Sequence, residues 1–154
     1  MKWTLKRFFI LFFVCILSLH AEKLEITADK FTAKDADKKV SFIGNAKIVQ
    51  GSTTVKAPQI ILYFDENNTT KMYRATGRVR FHIKKTKTNY KGSCDSMEYL
   101  PKKKKYILIG NIKVIDVYNK REITASRIEI NSMTGAFSIE GSRKKAAKLT
   151  FDMK

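Results

Sequence analysis

The sequence predicts a repetitive, all-β fold built from antiparallel hairpins, and three observations support this prediction. Glycines at positions 44, 77, 110 and 141 recur at separations of 33, 33 and 31 residues, and a fixed period of that length indicates one supersecondary unit used several times. Around these glycines apolar and polar residues alternate, which is the period of a half-buried strand. A second phrase recurs between the glycines, and polar segments typical of turns separate the two.

The chain begins with a stretch that has the three-part pattern of a secretory signal peptide. Three cations lie among the first seven residues, residues 8–19 are almost wholly apolar, and the small Ala21 precedes polar residues. We expect cleavage after Ala21, which leaves residues 22–154 as a single domain of four repeats of about 33 residues. The alternative is an uncleaved membrane anchor, for which the apolar run is shorter than the ~20 residues that span a bilayer.

Each glycine strand is predicted by its own alternation. The apolar set around the first glycine runs from Val40 to Ile48 and that around the second from Tyr73 to Ile83, while the third strand, 106–114, has apolar residues on both parities. We therefore expect the third strand to be covered on both faces. A glycine inside a strand permits a sharp bend or the close approach of another backbone. A type II′ hairpin at each glycine is the alternative, but the alternation continues without a break through Gly77.

The intervening strands carry the second phrase, which reads "ITADKF", "VKAPQI", "YKGSCD" and "ITASRI". We align their small residues at Ala28, Ala57, Gly92 and Ala125. Beyond the small residue the apolar positions resume three and five places later, and such a change of parity is what a β-bulge produces. Pro58 lies at this change, where a strand tolerates proline.

The first and last strands are predicted to be the edges of the sheet. The first strand begins close to the predicted cleavage site, and the last strand ends at the C-terminus. Exposed edge strands invite the addition of another strand. The alternative is that internal contacts cap both edges. The edge candidates are Leu24, Ile26, Ala28, Leu149 and Phe151.

The residue inventory after cleavage argues against an enzyme. His82 and Cys94 would be the only histidine and the only thiol, so no nucleophile–base set and no metal-ligand spacing is evident. A single cysteine also forms no internal disulfide. We interpret Cys94 as a free strand cysteine, and we expect neither a cofactor nor a metal.

The charge balance favours an anionic partner. Removing the three signal cations leaves 28 Lys and Arg against 14 acids, a net charge of +14, and such a surface attracts anions. Nucleic acid is the usual interpretation, but export and the lack of aromatics among the basic runs argue against it. Phosphorylated lipids and glycolipids are the alternative anions outside the cytoplasm. The steering candidates are Arg78, Arg80, Lys84, Lys85 and Lys87.

The ordered series "LEITADKF", "VSFIGNAKIVQGSTTVKAPQIILYF", "ATGRVRF" and "ITASRIEI" resembles the OstA-like repeats of the LptA family of periplasmic lipopolysaccharide transport proteins. The resemblance covers most of residues 24–141. "YKGSCDSMEY" departs from the pattern, with an acid, Asp95, in a position that is normally apolar.

This resemblance implies a β-jellyroll open along one side, whose apolar interior shelters the acyl chains of lipopolysaccharide. It also implies end-to-end contact with an inner-membrane complex and an outer-membrane assembly protein, and head-to-tail self-association. The alternatives are the membrane-anchored component of the same pathway and a structural or adhesive β-repeat protein that holds no lipid. The interior candidates are Phe42, Ile48, Val79, Phe81, Ile83, Ile112 and Val114.

Overall fold

The computed structural model describes residues 23–153, which form one antiparallel sheet of ten strands. The strands are β1 (Leu24–Thr27), β2 (Lys30–Lys34), β3 (Lys39–Gln50), β4 (Thr53–Phe64), β5 (Thr70–Lys84), β6 (Asn89–Leu100), β7 (Lys105–Asp116), β8 (Arg121–Asn131), β9 (Phe137–Glu140) and β10 (Lys148–Phe151). The prediction of an all-β antiparallel fold is confirmed. The expected signal peptide, residues 1–21, lies outside the described residues.

The helical content of residues 23–153 is limited to two single-turn 3₁₀ helices, Asp35–Asp37 and Pro101–Lys103. Both lie at polar segments that the sequence predicts as turns. No helix in this range is long and apolar enough to cross a bilayer.

The order of the strands divides the sheet into two halves. Consecutive strands β3 to β8 pair as hairpins, while β1 and β2 pair with different parts of β3, and β10 and β9 with different parts of β8. We call the part bordered by β1 and β10 the β1–β10 half and the part bordered by β2 and β9 the β2–β9 half. The long strands run through both halves, and their inward side chains form one apolar core.

Each glycine strand bends where one half passes into the other. Gly44, Gly77 and Gly110 have positive φ of 81°, 88° and 78°, a conformation open to glycine because it has no Cβ. The residue after each glycine also has positive φ, and the pairing register shifts at each site. The mid-strand bend is confirmed, and the chain does not reverse there as a hairpin would.

The extra residue of each bulge belongs to the glycine strand, not to its neighbour. Gly44 and Asn45 together face the single residue Pro58 between the pairs Ile43–Gln59 and Ala46–Ala57. The change of parity after Ala57 in the sequence of β4 results from the same bulge, because Pro58 alone faces two residues of β3. Because of it, inward side chains occur on both sides of the bend.

The sequence prediction misaligns the third copy of the second phrase by two residues. Val79 pairs with Cys94, so Cys94 and Asp95 occupy the places of Ala57 and Pro58. Gly92 has a different role, since a Cβ there would clash with the carbonyl oxygen of Lys113 on the neighbouring strand. Asp95 is therefore at a bend position and not in an apolar slot.

The fourth glycine occupies the same place in the sheet but has a different local structure. Glu140, which precedes Gly141, pairs with Arg127, as does Ile109, which precedes Gly110. After Gly141 the chain leaves the sheet and returns at residue 148 as β10. The basic segment 143–145 lies in this excursion.

The expectation that β7 is covered on both faces is wrong. Ile107 is buried, but Ile109 and Ile115 remain 38% and 42% exposed. Among the described residues no layer packs on the outer face of the sheet at these positions, so their side chains meet solvent.

Candidate functional site

The predicted interior residues lie on the inward face of the sheet. The five most central are 0–5% exposed, and Phe42 and Ile48 are partly buried against the same core. Side chains this buried are closed to a ligand from outside in this structure. The five are Val79, Phe81, Ile83, Ile112 and Val114.

An open cavity of about 210 Å³ lies between the two halves of the sheet. For comparison, an apolar cavity of about 150 Å³ holds a benzene molecule, so this space can accept part of a hydrocarbon chain. Of the predicted interior residues only Ile48 lines it. The β1–β10 half supplies Leu24, Ile48, Gln50, Thr53 and Val55; the β2–β9 half supplies Ile60, Tyr73, Ala75, Met97, Tyr99 and Tyr106; and Pro101 and Lys104 belong to the adjoining turn.

Three tyrosines on neighbouring strands form one wall of this cavity. The ring centroids of Tyr73 and Tyr99 are 6.0 Å apart, and those of Tyr99 and Tyr106 are 4.4 Å apart in a stacked arrangement. Burial raises the pKa of the Tyr99 and Tyr106 hydroxyls, so both remain neutral at physiological pH. The wall is therefore broad, uncharged and largely apolar.

The interior narrows at the other end of the sheet. A void of only about 10 Å³ remains among Tyr90, Val114, Arg121 and apolar residues of β8 and β9. The guanidinium of Arg121 lies 5.5 Å from the ring centroid of Phe137 and covers this end. The same guanidinium donates to the Asp116 carboxylate, with an Nε–Oδ2 distance of 3.1 Å.

The five steering candidates do not form one cluster. Arg78 and Arg80 line a depression of about 610 Å³ on the outer face at the bends. Lys84 ends β5. Lys85 and Lys87 follow it and line a groove of about 510 Å³ that also includes Arg121 and Phe137. Two candidates thus lie on the outer face and two lie near the narrow end of the interior.

The predicted edge strands are edges of the described sheet, except that β1 ends at Thr27 and Ala28 lies outside it against the core. Two more strands share the edge role. β1 pairs only with β3, and β10 pairs only with β8. Sequence reasoning did not identify β2 and β9, which border the other half. The edges expose apolar side chains, with Phe31 70%, Leu149 43% and Phe151 52% exposed.

Cys94 and His82, the reactive side chains that the sequence singles out, have surroundings typical of residues with a structural role. Cys94 is 2% exposed, and burial, with the nearby Asp95 charge, raises the pKa of its thiol to about 12, so it is not a thiolate nucleophile. The imidazole Nε2 of His82 lies 2.8 Å from the Asn89 amide oxygen. Within residues 23–153 no three His, Cys, Asp or Glu side chains converge as metal ligands.

The cavity wall is the main feature that sequence reasoning missed. Tyr73 and Tyr106 belong to the predicted alternation, but Met97 and Tyr99 lie on the misaligned β6. The signal that identifies them is the cross-strand register, in which Tyr73, Tyr99 and Tyr106 are directly paired.

Comparisons with known proteins agree with this architecture. Residues 25–136 match the model of the family described as LptA/(LptD N-terminal domain) LPS transport protein. Among solved structures, the chain is similar to LptH, described as the LptA homologous periplasmic component of the conserved lipopolysaccharide transport device from Pseudomonas aeruginosa, with a TM-score of 0.75, 16% identity, and coverage of 86% of this chain and 96% of that one. A comparison with curated proteins finds no match.

Proposed function

The chain belongs to the LptA/(LptD N-terminal domain) family of LPS transport proteins, and from this membership we propose that it is a periplasmic carrier that shelters lipopolysaccharide acyl chains between the halves of its sheet. This is a family of transport proteins and not of enzymes. The observation that carries the proposal is the open cavity of about 210 Å³ between the halves, walled by Ile60, Met97 and the three paired tyrosines.

Hydrocarbon burial supplies the binding energy in this proposal. An acyl chain of about 14 carbons gains on the order of 11 kcal/mol on leaving water, at ~0.8 kcal/mol per CH₂. An exposed Lys–phosphate pair contributes about 1 kcal/mol or less. The cavity holds part of one chain, so binding proceeds with separation of the two halves, which exposes the buried interior candidates such as Val79 and Phe81 to the lipid.

The cations near the narrow end fit the steering role. Lys85 and Lys87 line the groove that includes Phe137, at the end of the interior that is narrow in this structure. A headgroup held there would remain in solvent, and its chains would enter the interior once the two halves separate. Strong positive potential raises the rate of encounter with an anionic lipid.

The four edge strands support a role as a bridge. Each has a free side in the described sheet, and edge strands pair with similar edges of another protein. We propose that β1 and β2 at one end and β9 and β10 at the other join the inner-membrane complex, the outer-membrane assembly protein or a second copy of this chain. Residues 1–21 act in this proposal as a signal peptide that directs export.

Photo-crosslinking in cells that make lipopolysaccharide tests the interior site. A photoreactive phenylalanine derivative replaces Tyr99, which lines the cavity, or Tyr118, which is 50% exposed in a turn. Phe81 is a third site, in the part of the core that opens only if the halves separate.

We expect lipopolysaccharide adducts at Tyr99 and Phe81 and none at Tyr118. Adducts at Tyr118 alone would show capture by surface charge and would reject the interior site. Adducts at Tyr99 without Phe81 would confine the lipid to the cavity and reject separation of the halves. Absence of adducts at all three sites, in exported and folded protein, would reject the carrier function.

A further inference from the structure

The three bends of the sheet share one backbone conformation but differ in the side chains that stabilise them. At the first, the Asn45 amide donates to Asp29 Oδ2 at 2.9 Å. At the third, the Asn111 amide donates to Asp95 Oδ2 at 2.8 Å. Asparagine is among the few non-glycine residues that adopt positive φ readily, so these two bends are locally satisfied.

The middle bend has other residues at both positions of this asparagine–aspartate pair. Arg78 has φ of 73° where the other bends have asparagine. Pro58 stands where they have aspartate, and its Cγ would lie 3.2 Å from a Cβ placed on Gly77. Arginine gains nothing from positive φ and proline offers no acceptor side chain. Strained residues of this kind concentrate at functional sites.

A line of like charges lies beside Arg78 on the outer face. Lys47 pairs with Lys56 across β3 and β4, and Lys56 pairs with Arg80 across β4 and β5. Directly opposed like charges destabilise a sheet. With Arg78 these side chains line the depression of about 610 Å³, which we call the middle-bend cleft.

Acids lie beside the cleft but do not pair with its cations: Asp29 Oδ2 accepts from the Asn45 amide, and Asn45 belongs to the lining. Within the described range its lining contains neither Asp nor Glu, and its four cations make no salt bridge or side-chain hydrogen bond. Asp95 faces the Gly77–Arg78 bulge from β6, but its Oδ2 accepts from Asn111. The cleft therefore holds four cations without a salt-bridge partner, which salt screens and which a bound anion would neutralise directly.

We infer that the middle-bend cleft is a binding site for phosphate groups, separate from the apolar interior. Guanidinium groups match phosphate oxygens in bidentate geometry, and lysines add point charges. Four cations suit two linked phosphates better than one. The cleft is on the outer face while the cavity is between the halves, so one acyl-bearing molecule need not occupy both and the site does not rest on the carrier function.

Calorimetric titration with inorganic diphosphate tests the site without any acyl chain. The test variant is R78N/K56Q, which gives the middle bend asparagine, a residue that adopts positive φ readily and stands at the same place in the other two bends. The matched control is K103Q/K144Q, which removes two exposed lysines elsewhere. Thermal unfolding of each variant verifies the fold.

We expect the parent protein to bind diphosphate saturably. The affinity should fall at least about tenfold in R78N/K56Q, because charge-assisted bidentate contacts in the cleft are lost, and less than about twofold in K103Q/K144Q. Equal weakening in both variants, or no saturable binding to the parent protein, would overturn the inference.

Vesicles distinguish the source of the phosphate. Phosphatidylcholine vesicles with and without phosphatidylglycerol are added to the diphosphate complex. Release of diphosphate by the anionic vesicles alone assigns the cleft to a lipid headgroup at a membrane surface, and retention assigns it to a soluble phosphate. Release by both kinds of vesicle would show that the bilayer displaces diphosphate regardless of its net charge, and this would overturn a site built on charge.

Discussion

At the scale of single residues, Asp116 shows how the narrow end of the interior is held together. Its side chain is 1% exposed, and it accepts hydrogen bonds from Arg121, from the Asn119 amide at 2.7 Å and from the Asn119 backbone N–H at 3.2 Å. Burial by itself raises the pKa of this carboxyl, but the hydrogen bonds and the charge of Arg121 outweigh it and lower the pKa below its ordinary value of 3.8.

Asp116 is therefore expected to make stability depend on pH in the acid range. Its folded pKa is lower than this ordinary value, so its contribution is largely present above about pH 4 and is lost as the pH falls through the folded pKa. Asp116→Asn should lower the free energy of unfolding by about 1–3 kcal/mol at pH 7. Denaturant unfolding from pH 7 to pH 3 should show this difference shrinking below about pH 4, and a constant difference would contradict the assignment.

The bend glycines give a second prediction at this scale. In Gly110→Ala the new Cβ would lie 2.5 Å from Asp95 Oδ2, and φ is 78°. Gly135 has a similar φ of 71° but no atom within 4 Å of a Cβ, so Gly135→Ala measures backbone strain alone, of about 1–2 kcal/mol.

Gly110→Ala should lower the free energy of unfolding by the same backbone strain as Gly135→Ala and by about 1 kcal/mol more, because Asp95 must move and its hydrogen bond with Asn111 weakens. Chemical denaturation of both variants provides the comparison. If the two substitutions cost the same, the contact between Asp95 and the bend has no energetic weight.

At the scale of elements, alternation and the recurring glycine are enough to predict the strands, the bends and the inward face. The interior set of Val79, Phe81 and Ile83 follows from period two alone. The alignment of β6 cannot be obtained in this way, since Gly92 looks like the small residue of the phrase and only the pairing of Val79 with Cys94 shows otherwise.

The cavity and the cleft required three-dimensional information. The tyrosine wall depends on which residues of three strands are paired, and the strain at Arg78 depends on a backbone angle. The split of each sheet edge into two strands was also missed, because all four edge strands are short and only their pairing with different parts of β3 and β8 reveals the split. Sequence patterns therefore predict faces of strands better than they predict contacts between them.

The edges of the sheet support a prediction about assembly. Glu25 in β1 and Thr150 in β10 lie in one cross-strand row that passes through His82 and Lys91. If copies join β1 to β10, Glu25→Cys/Thr150→Cys should give a ladder of covalent oligomers with a short bis-maleimide, because edge pairing brings neighbouring backbones within about 5 Å.

The matched control for this prediction is Glu25→Cys/Lys91→Cys, since Lys91 lies on a central strand of the same row. It should give no ladder on denaturing gels, and buried Cys94 should not react in either variant. Equal ladders from the two variants would show random collision and would contradict end-to-end pairing through β1 and β10.

At the scale of the whole molecule, hydrophobic burial and charge have separable tasks. The full sequence carries a net charge of +17, yet the salt bridges among the described residues engage only part of its cations, and those of the middle-bend cleft form none. Exposed charges are screened over about 8–10 Å at physiological salt, while apolar contact is not weakened by salt in this way.

The separate roles of charge and hydrophobic burial lead to a kinetic prediction for binding of lipopolysaccharide. Raising the salt from about 0.05 to 0.5 M should slow association about tenfold, since steering by a charged surface falls steeply with ionic strength, and should leave the dissociation rate nearly unchanged, since escape requires the acyl chains to return to water. Stopped-flow measurement with a fluorescent lipid resolves the two rates. A carrier that depended on charge would instead release its ligand faster as salt rises, and that outcome would favour the structural or adhesive alternative over an apolar interior.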